Sequence, residues 1–151
     1  MTAAFPNLFS PLDIGPIQLK NRIVSTGHMT VMLEDGKPSD AMIAYHEARA
    51  KGGAGLIILE AARAHASGDS GRPAICAYED TCIPGYTRIA QACQLHDCKV
   101  IAQLSHPGRE MPLASDGTQA VALAPSAIPN ERFHVMPQEL SQVLIRDIVK
   151  G

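Results

Sequence analysis

A chain of 151 residues with 46% hydrophobic and 19% charged residues is long enough to bury a core and too apolar to be disordered. Its net charge of −2, with no charge run, no basic stripe and no Trp, excludes the footprint of a nucleic-acid or acidic-lipid binder. No apolar stretch reaches the roughly 18 residues of a membrane span.

Met1 to Phe5 lack the basic region and apolar core of a secretory leader, so a cytoplasmic protein is expected. Four cysteines, Cys76, Cys82, Cys93 and Cys98, stand at no C-x-x-C spacing and read as reduced thiols.

In chain order, "FPNLFSPLDIGPIQLK" (5–20) is rich in Pro and Gly and reads as an ordered lead-in. "NRIVST" (21–26) offers a short β-branched run that Gly27 interrupts. "EDGKPSD" (34–40) is turn chemistry, with Ser39 or Asp40 available to cap a helix over 41–51 that stops at Gly52-Gly53. "AGLIILEAA" (54–62) has the near-continuous apolarity of a strand buried on both faces. Pro84 and Gly85 then introduce Tyr86, Ile89, Ala90 and Cys93 at the spacing of a helical face. Asp97 precedes a third apolar run, "KVIAQL" (99–104). A long connection from Ser105 to about Met136 follows. "PQELSQVLIRDIVKG" (137–151) then predicts a helix with Pro137 near its start and Leu140, Val143, Leu144 and Ile148 on one face. The order β-α-β-α-β-loop-α predicts parallel strands with right-handed crossovers.

Unstructured connections beyond about 12–15 residues are uncommon in compact domains and are usually lids, binding loops or disordered. This one leaves the strand end that parallel α/β sheets turn toward ligands. Three strand ends carry the candidate chemistry: "STGHMT" (25–30), "LEAARA" (59–64) and "QLSHPGR" (103–109). Gln103 offers donors beside an acceptor, which suits a ring edge carrying C=O next to N–H. Gly27 lets backbone approach a planar ligand, backbone amides near Gly27 to Met29 could donate to a ring carbonyl, and Ala61 leaves room for the ring. The plainer alternatives are a Gln103 held in the structure, a Glu60–Arg109 ion pair, and His28 and His106 without an acid partner. His65 and His96 read as surface residues. The histidines on separate loops give no ligand spacing, so no metal site is expected.

"LFSPLDIGPIQLKNRIV", "YHEARAKGGAGLIILEAA", "IPGYTRIA" and "IAQLSHPGR", continued by "APSAIP", resemble the N-terminal part of the FMN-dependent old yellow enzyme family. The branch they resemble contains 2,4-dienoyl-CoA reductase and trimethylamine dehydrogenase. The resemblance implies an NADH:flavin oxidoreductase built on a (β/α)8 TIM barrel with FMN at the C-terminal mouth. It places Thr26, Gly27, His28 and Met29 along the flavin ring, Ala61 near it and Gln103 on its pyrimidine edge. His106 and Arg109 would stand behind these. In trimethylamine dehydrogenase a cysteine bonded to the flavin matches Met29; a thioether cannot make that bond, so FMN is expected to be non-covalent.

The chain is then expected to be a partial barrel domain over 1–151, truncated at its C-terminal end, since a full barrel needs about 250 residues. It would carry strands one to three, no catalytic residue, and no cysteine spacing for the 4Fe-4S cluster of longer relatives. NAD(P)H is a possible electron donor for the parent. His28 tilts the substrate towards N-methylated amines such as methylglycines or betaines. The alternatives are an enoyl- or dienoyl-thioester reductase using NAD(P)H, or a non-catalytic half-barrel that self-associates or joins a complementing half through exposed strand edges.

Overall fold

The computed structural model describes residues 4–114 and 116–150; the reading of the extreme N-terminus falls partly on Met1 to Ala3, outside the described residues. Two compact units are present. The first gathers the described residues up to Ala61 with Thr81–Gln103, and the second gathers Ala62–Asp80 with those from Leu104 onward.

In the first unit the lead-in is a hairpin, β1 (Leu12–Ile14) antiparallel to β2 (Ile17–Leu19). Gly15 supplies the positive φ of 56° that its two-residue turn demands. β3 (Val24–Ser25) follows, then a second hairpin of β4 (Leu33–Glu34) and β5 (Lys37–Pro38). Its Asp35-Gly36 turn has φ of 49° and 71°, the pair of positive values for which Asp-Gly is selected. Helix α1 (Asp40–Lys51) starts where expected: the Ser39 hydroxyl accepts from Met42 N at 3.3 Å, and Arg49 and Lys51 occupy the last turn. Its buried residues Met42, His46 and Ala50 fall every fourth position, so a histidine shares the core stripe.

β6 (Leu56–Arg63) runs parallel to β3, Val24 opposite Leu56, and separates it from β7 (Lys99–Ser105). Lys99 N donates to Gly55 O at 3.0 Å at one end of β6–β7, and Ala64 N to Ser105 O at 3.0 Å at the other, so these strands also run together. Helix α2 (Ile83–Gln94) carries Pro84 in its first turn, buries Ile89 and Cys93, and packs on α1. All four cysteines are free thiols; burial, then neighbouring Cys98, pushes the Cys93 thiol up to about 11.

The second unit departs from expectation. The connection after β7 is not structureless: β8 (Leu123–Ala124) lies inside it and pairs parallel with β9 (Gln138–Glu139). Pro137 therefore precedes a strand, not a helix. Gln138 N and Leu140 N are engaged by the carbonyls of Ala122 and Ala124 at 2.8 and 2.9 Å, which holds the chain extended through Leu140. Helix α3 (Gln142–Lys150) starts only after Ser141, whose hydroxyl accepts from Leu144 N at 3.2 Å. Leu140 is thus outside the helix, and no residue of α3 is fully buried.

Candidate functional site

Four of the candidate residues, Thr26 to Met29, leave the C-terminal end of β3, Ala61 and Gln103 lie within β6 and β7 towards their C-terminal ends, and all six belong to the first unit. After β3 the chain runs irregularly from Thr26 to Met32. Gly27 passes so close to its neighbours that a Cβ there would sit 2.7 Å from Gln103 Oε1 and 2.8 Å from Leu59 O. Only glycine fits without displacement, and the Gln103 amide lies directly against this backbone. Gln103 is exposed, and no described group hydrogen-bonds its side-chain amide. A free donor–acceptor edge beside a glycine backbone fits a planar heterocycle presenting C=O next to N–H.

His28 is held from both sides. Its Nδ1 lies 3.4 Å from the Thr26 carbonyl and its Nε2 meets the Tyr45 hydroxyl. A carbonyl only accepts, so Nδ1 carries the proton and Nε2 accepts from the phenol. The missing acid partner is thus replaced by a phenol from α1. The Arg49 guanidinium covers the Tyr45 ring at 3.3 Å and donates to the Tyr45 carbonyl at 3.0 Å. Met29 is 50% exposed and Ala61 half-buried, so both present small or apolar surface.

The residue that organises this segment lies in the middle of β6. Glu60 is 1% exposed, and its Oε2 accepts from Thr30 N at 2.7 Å and from the Thr30 hydroxyl. Thr30 Oγ1 also accepts from Met32 N at 3.3 Å. Between them Val31 has φ of 55°, the left-handed region that a β-branched residue strongly disfavours. Glu60 also acts electrostatically on His46, 3% exposed, and on Tyr86. Burial, with Arg49 adding, pulls the His46 imidazole down to about 4 against an opposing pull from Glu60. Burial, with the Cys82 and Glu60 charges adding, pushes the Tyr86 phenol up to about 12. At neutral pH both are uncharged.

His106 and Arg109 belong to the second unit. The His106 Nδ1 accepts from Gly108 N at 3.0 Å, so its proton is on Nε2, which donates to Ser67 Oγ at 3.0 Å. Ser67 Oγ–H then donates to His65 Nδ1 at 2.8 Å. Burial, then His65, pulls the His106 imidazole below its ordinary value. His65 is half-buried and caps the short turn over Ala66–Gly68, so it is no free surface histidine. Arg109 is exposed, its guanidinium 3.5 Å from the Ile128 carbonyl. Among the described residues, no group of three or more His, Cys, Asp or Glu could hold a metal ion, and no helix is long and apolar enough to cross a membrane.

Residues 7–151 match the NADH:flavin oxidoreductase / NADH oxidase family. The chain belongs to this family. A metal reductase of Desulforamulus reducens is 38% identical over 143 residues, covering 94% of this chain and 21% of that protein. An NADH oxidase of Thermoanaerobacter brockii is 36% identical over 151 residues, covering 97% of this chain and 23% of its own length. Histamine dehydrogenase from Rhizobium sp. 4-9 superposes with a TM-score of 0.82 at 26% identity, over 99% of this chain and 23% of that one. The chain thus spans about a fifth of the length of these relatives. The old yellow enzyme resemblance and the partial TIM-barrel fold are borne out, and among the described residues the strands close no barrel.

Sequence reasoning missed the support beneath the segment: Tyr45, His46, Glu60 as an anchor, and Tyr86. Two signals were present. An acid interrupts the apolar run "LIILEAA", and a histidine stands at i+4 between Met42 and Ala50.

Proposed function

We propose that this chain forms one wall of a non-covalent FMN site in an NAD(P)H-dependent oxidoreductase. The observation that carries the reading is the unpaired Gln103 amide packed against Gly27, where a side chain has no room. The Gln103 amide would take the pyrimidine edge, the backbone of Thr26–Met29 the ring, and Ala61 would leave the ring its space. His28, fixed by Tyr45, would rim the ring, and Met29 would cover it with apolar surface. FMN, when bound, supplies the hydride and electron transfer. His106 and Arg109 would shape the loop beyond. The relative from Thermoanaerobacter brockii, an NADH oxidase, supports reduced nicotinamide as the electron source.

The amine reading draws on His28 and on the likeness to histamine dehydrogenase. It is the weaker one, because the Tyr45 ring face that would meet a methylated cation is already covered by Arg49. Thioester reduction and amine oxidation are separated by which compound bleaches the bound flavin. NADH or NADPH should do so, with dienoyl-CoA restoring the colour; bleaching by dimethylglycine alone would favour the amine. The non-catalytic alternative draws on Ile101 and Leu104 of β7, 41% and 65% exposed. Saturable FMN binding by the chain, with quenched flavin fluorescence, supports the cofactor-wall reading. A discrete dimer in light scattering that binds no FMN would favour the self-associating half-barrel.

A further inference from the structure

Besides His96 Nε2, which lies 3.6 Å from Glu47 Oε1, four buried polar atoms among the described residues of the first unit have no hydrogen-bond partner: Glu60 Oε1, both ring nitrogens of His46, and Tyr86 Oη. They come from β6, α1 and α2, and α1 packs on α2. The charge of Glu60 acts on both His46 and Tyr86. Buried polar atoms are rarely left unsatisfied, and a carboxylate oxygen least of all.

We propose that Glu60 is the positioning residue of the Thr26–Met29 segment, and that an internal water bridges its free oxygen to His46 and Tyr86. The bonding inventory selects water. The neutral imidazole brings one donor and one acceptor, the phenol brings a donor and an acceptor, and Oε1 brings only acceptors. A bare cation could not accept from the phenol or the imidazole N–H, and an ammonium ion has no acceptor to offer them. Water donates to Oε1 while accepting from the other two, as buried waters with two to four polar partners do.

The other oxygen of Glu60 does the positioning. Oε2 takes both the amide and the hydroxyl of Thr30, and Thr30 Oγ1 holds Met32 N, so the chain is tied on both sides of Val31 at φ 55°. Such a conformation persists only where its surroundings over-determine it. Arg49 and His28, which also act on His46, lie on the Tyr45 side of the same network. The effect of this anchor on flavin rests on the reading of Thr26–Met29 as the flavin wall; the anchor and its water do not.

Two measurements on the whole chain separate the two. In NMR, Tyr86 and His46 protons should show cross-relaxation to a long-lived water, and the Thr30 amide should exchange slowly. Glu60→Ala should abolish the water signal and speed Thr30 exchange at least tenfold. Thr30→Ser should keep the protection and Thr30→Val should lose it. Tyr86→Phe, which leaves the anchor in place, should weaken the water signal and spare Thr30, even if Glu60→Ala folds poorly. Absence of a water signal in the unsubstituted chain, or equal Thr30 exchange in Thr30→Ser and Thr30→Val, would overturn the inference. The second measurement is FMN affinity, which Thr30→Val should lower about tenfold while Thr30→Ser retains it; equal affinities would overturn the positioning role. Failure of the unsubstituted chain to bind FMN would instead sink the flavin-wall reading, with the exchange data still deciding the anchor.

Discussion

Strands β6 and β7 are written in nearly the same apolar alphabet, yet they meet different surroundings. β6 has a neighbour on each side, and every one of its residues is buried or half-buried. Among the described residues β7 has only β6 beside it, and Ile101 to Leu104 are exposed. Each strand carries a polar residue inside its apolar run, Glu60 in β6 and Gln103 in β7, and their fates differ in the same way. Glu60 is sealed in and tied to Thr30, whereas Gln103 is open and untied. A buried acid within a strand acts as scaffold; a free amide at an open strand end is available to a ligand.

The contrast is broken hardest at Glu60. Glu60→Ala leaves the Thr30 amide and hydroxyl without their carboxylate acceptor. It should cost about 2–4 kcal/mol, read as a lower urea midpoint at unchanged slope. At Gln103 the same truncation removes an exposed side chain and should change stability by no more than about 0.5 kcal/mol. A loss at Gln103 as large as at Glu60 would erase the distinction.

A pH titration sharpens the picture of what lies beneath Glu60. His46 is pulled from an ordinary value of 6.5 to about 4 in the folded chain. The unfolded chain therefore takes up the proton first. The contribution of His46 to stability is complete above about pH 6.5 and is lost as the pH falls towards 4, amounting to roughly 1–3 kcal/mol. His46→Gln should flatten this part of the stability curve; an unchanged acid slope would contradict burial as the cause. The smallest effect is expected at Val31. Val31→Gly relieves the positive φ but frees the unfolded chain, so stability should move by no more than about 1 kcal/mol, while exchange of the neighbouring amides quickens.

Where local chemistry decides, the structure was legible in advance. Ser39 before "DAMIAYHEARAK" and the glycines after it mark both ends of α1, and the apolar runs mark β6 and β7. Where pairing partners decide, it was not. The backbone bonds that Ala122 and Ala124 offer to Gln138 and Leu140 outweigh the tendency of Pro137 to open a helix, and no local pattern announces them. The positions of the candidate residues along and after their strands followed from the sequence. Their supports did not, because the Tyr45–His28 contact joins residues 17 apart and the Glu60–Thr30 bond residues 30 apart. The apolarity of β7 spoke only for its capacity to be buried.

FMN titration of the chain beside its Gln103→Ala variant, followed by quenching of flavin fluorescence, tests the central claim most directly. The account predicts saturable binding that weakens about 10- to 100-fold in the variant, as loss of hydrogen bonds to a ring edge requires, with the fold intact. Equal affinity in the two chains, or no binding by either, would contradict it.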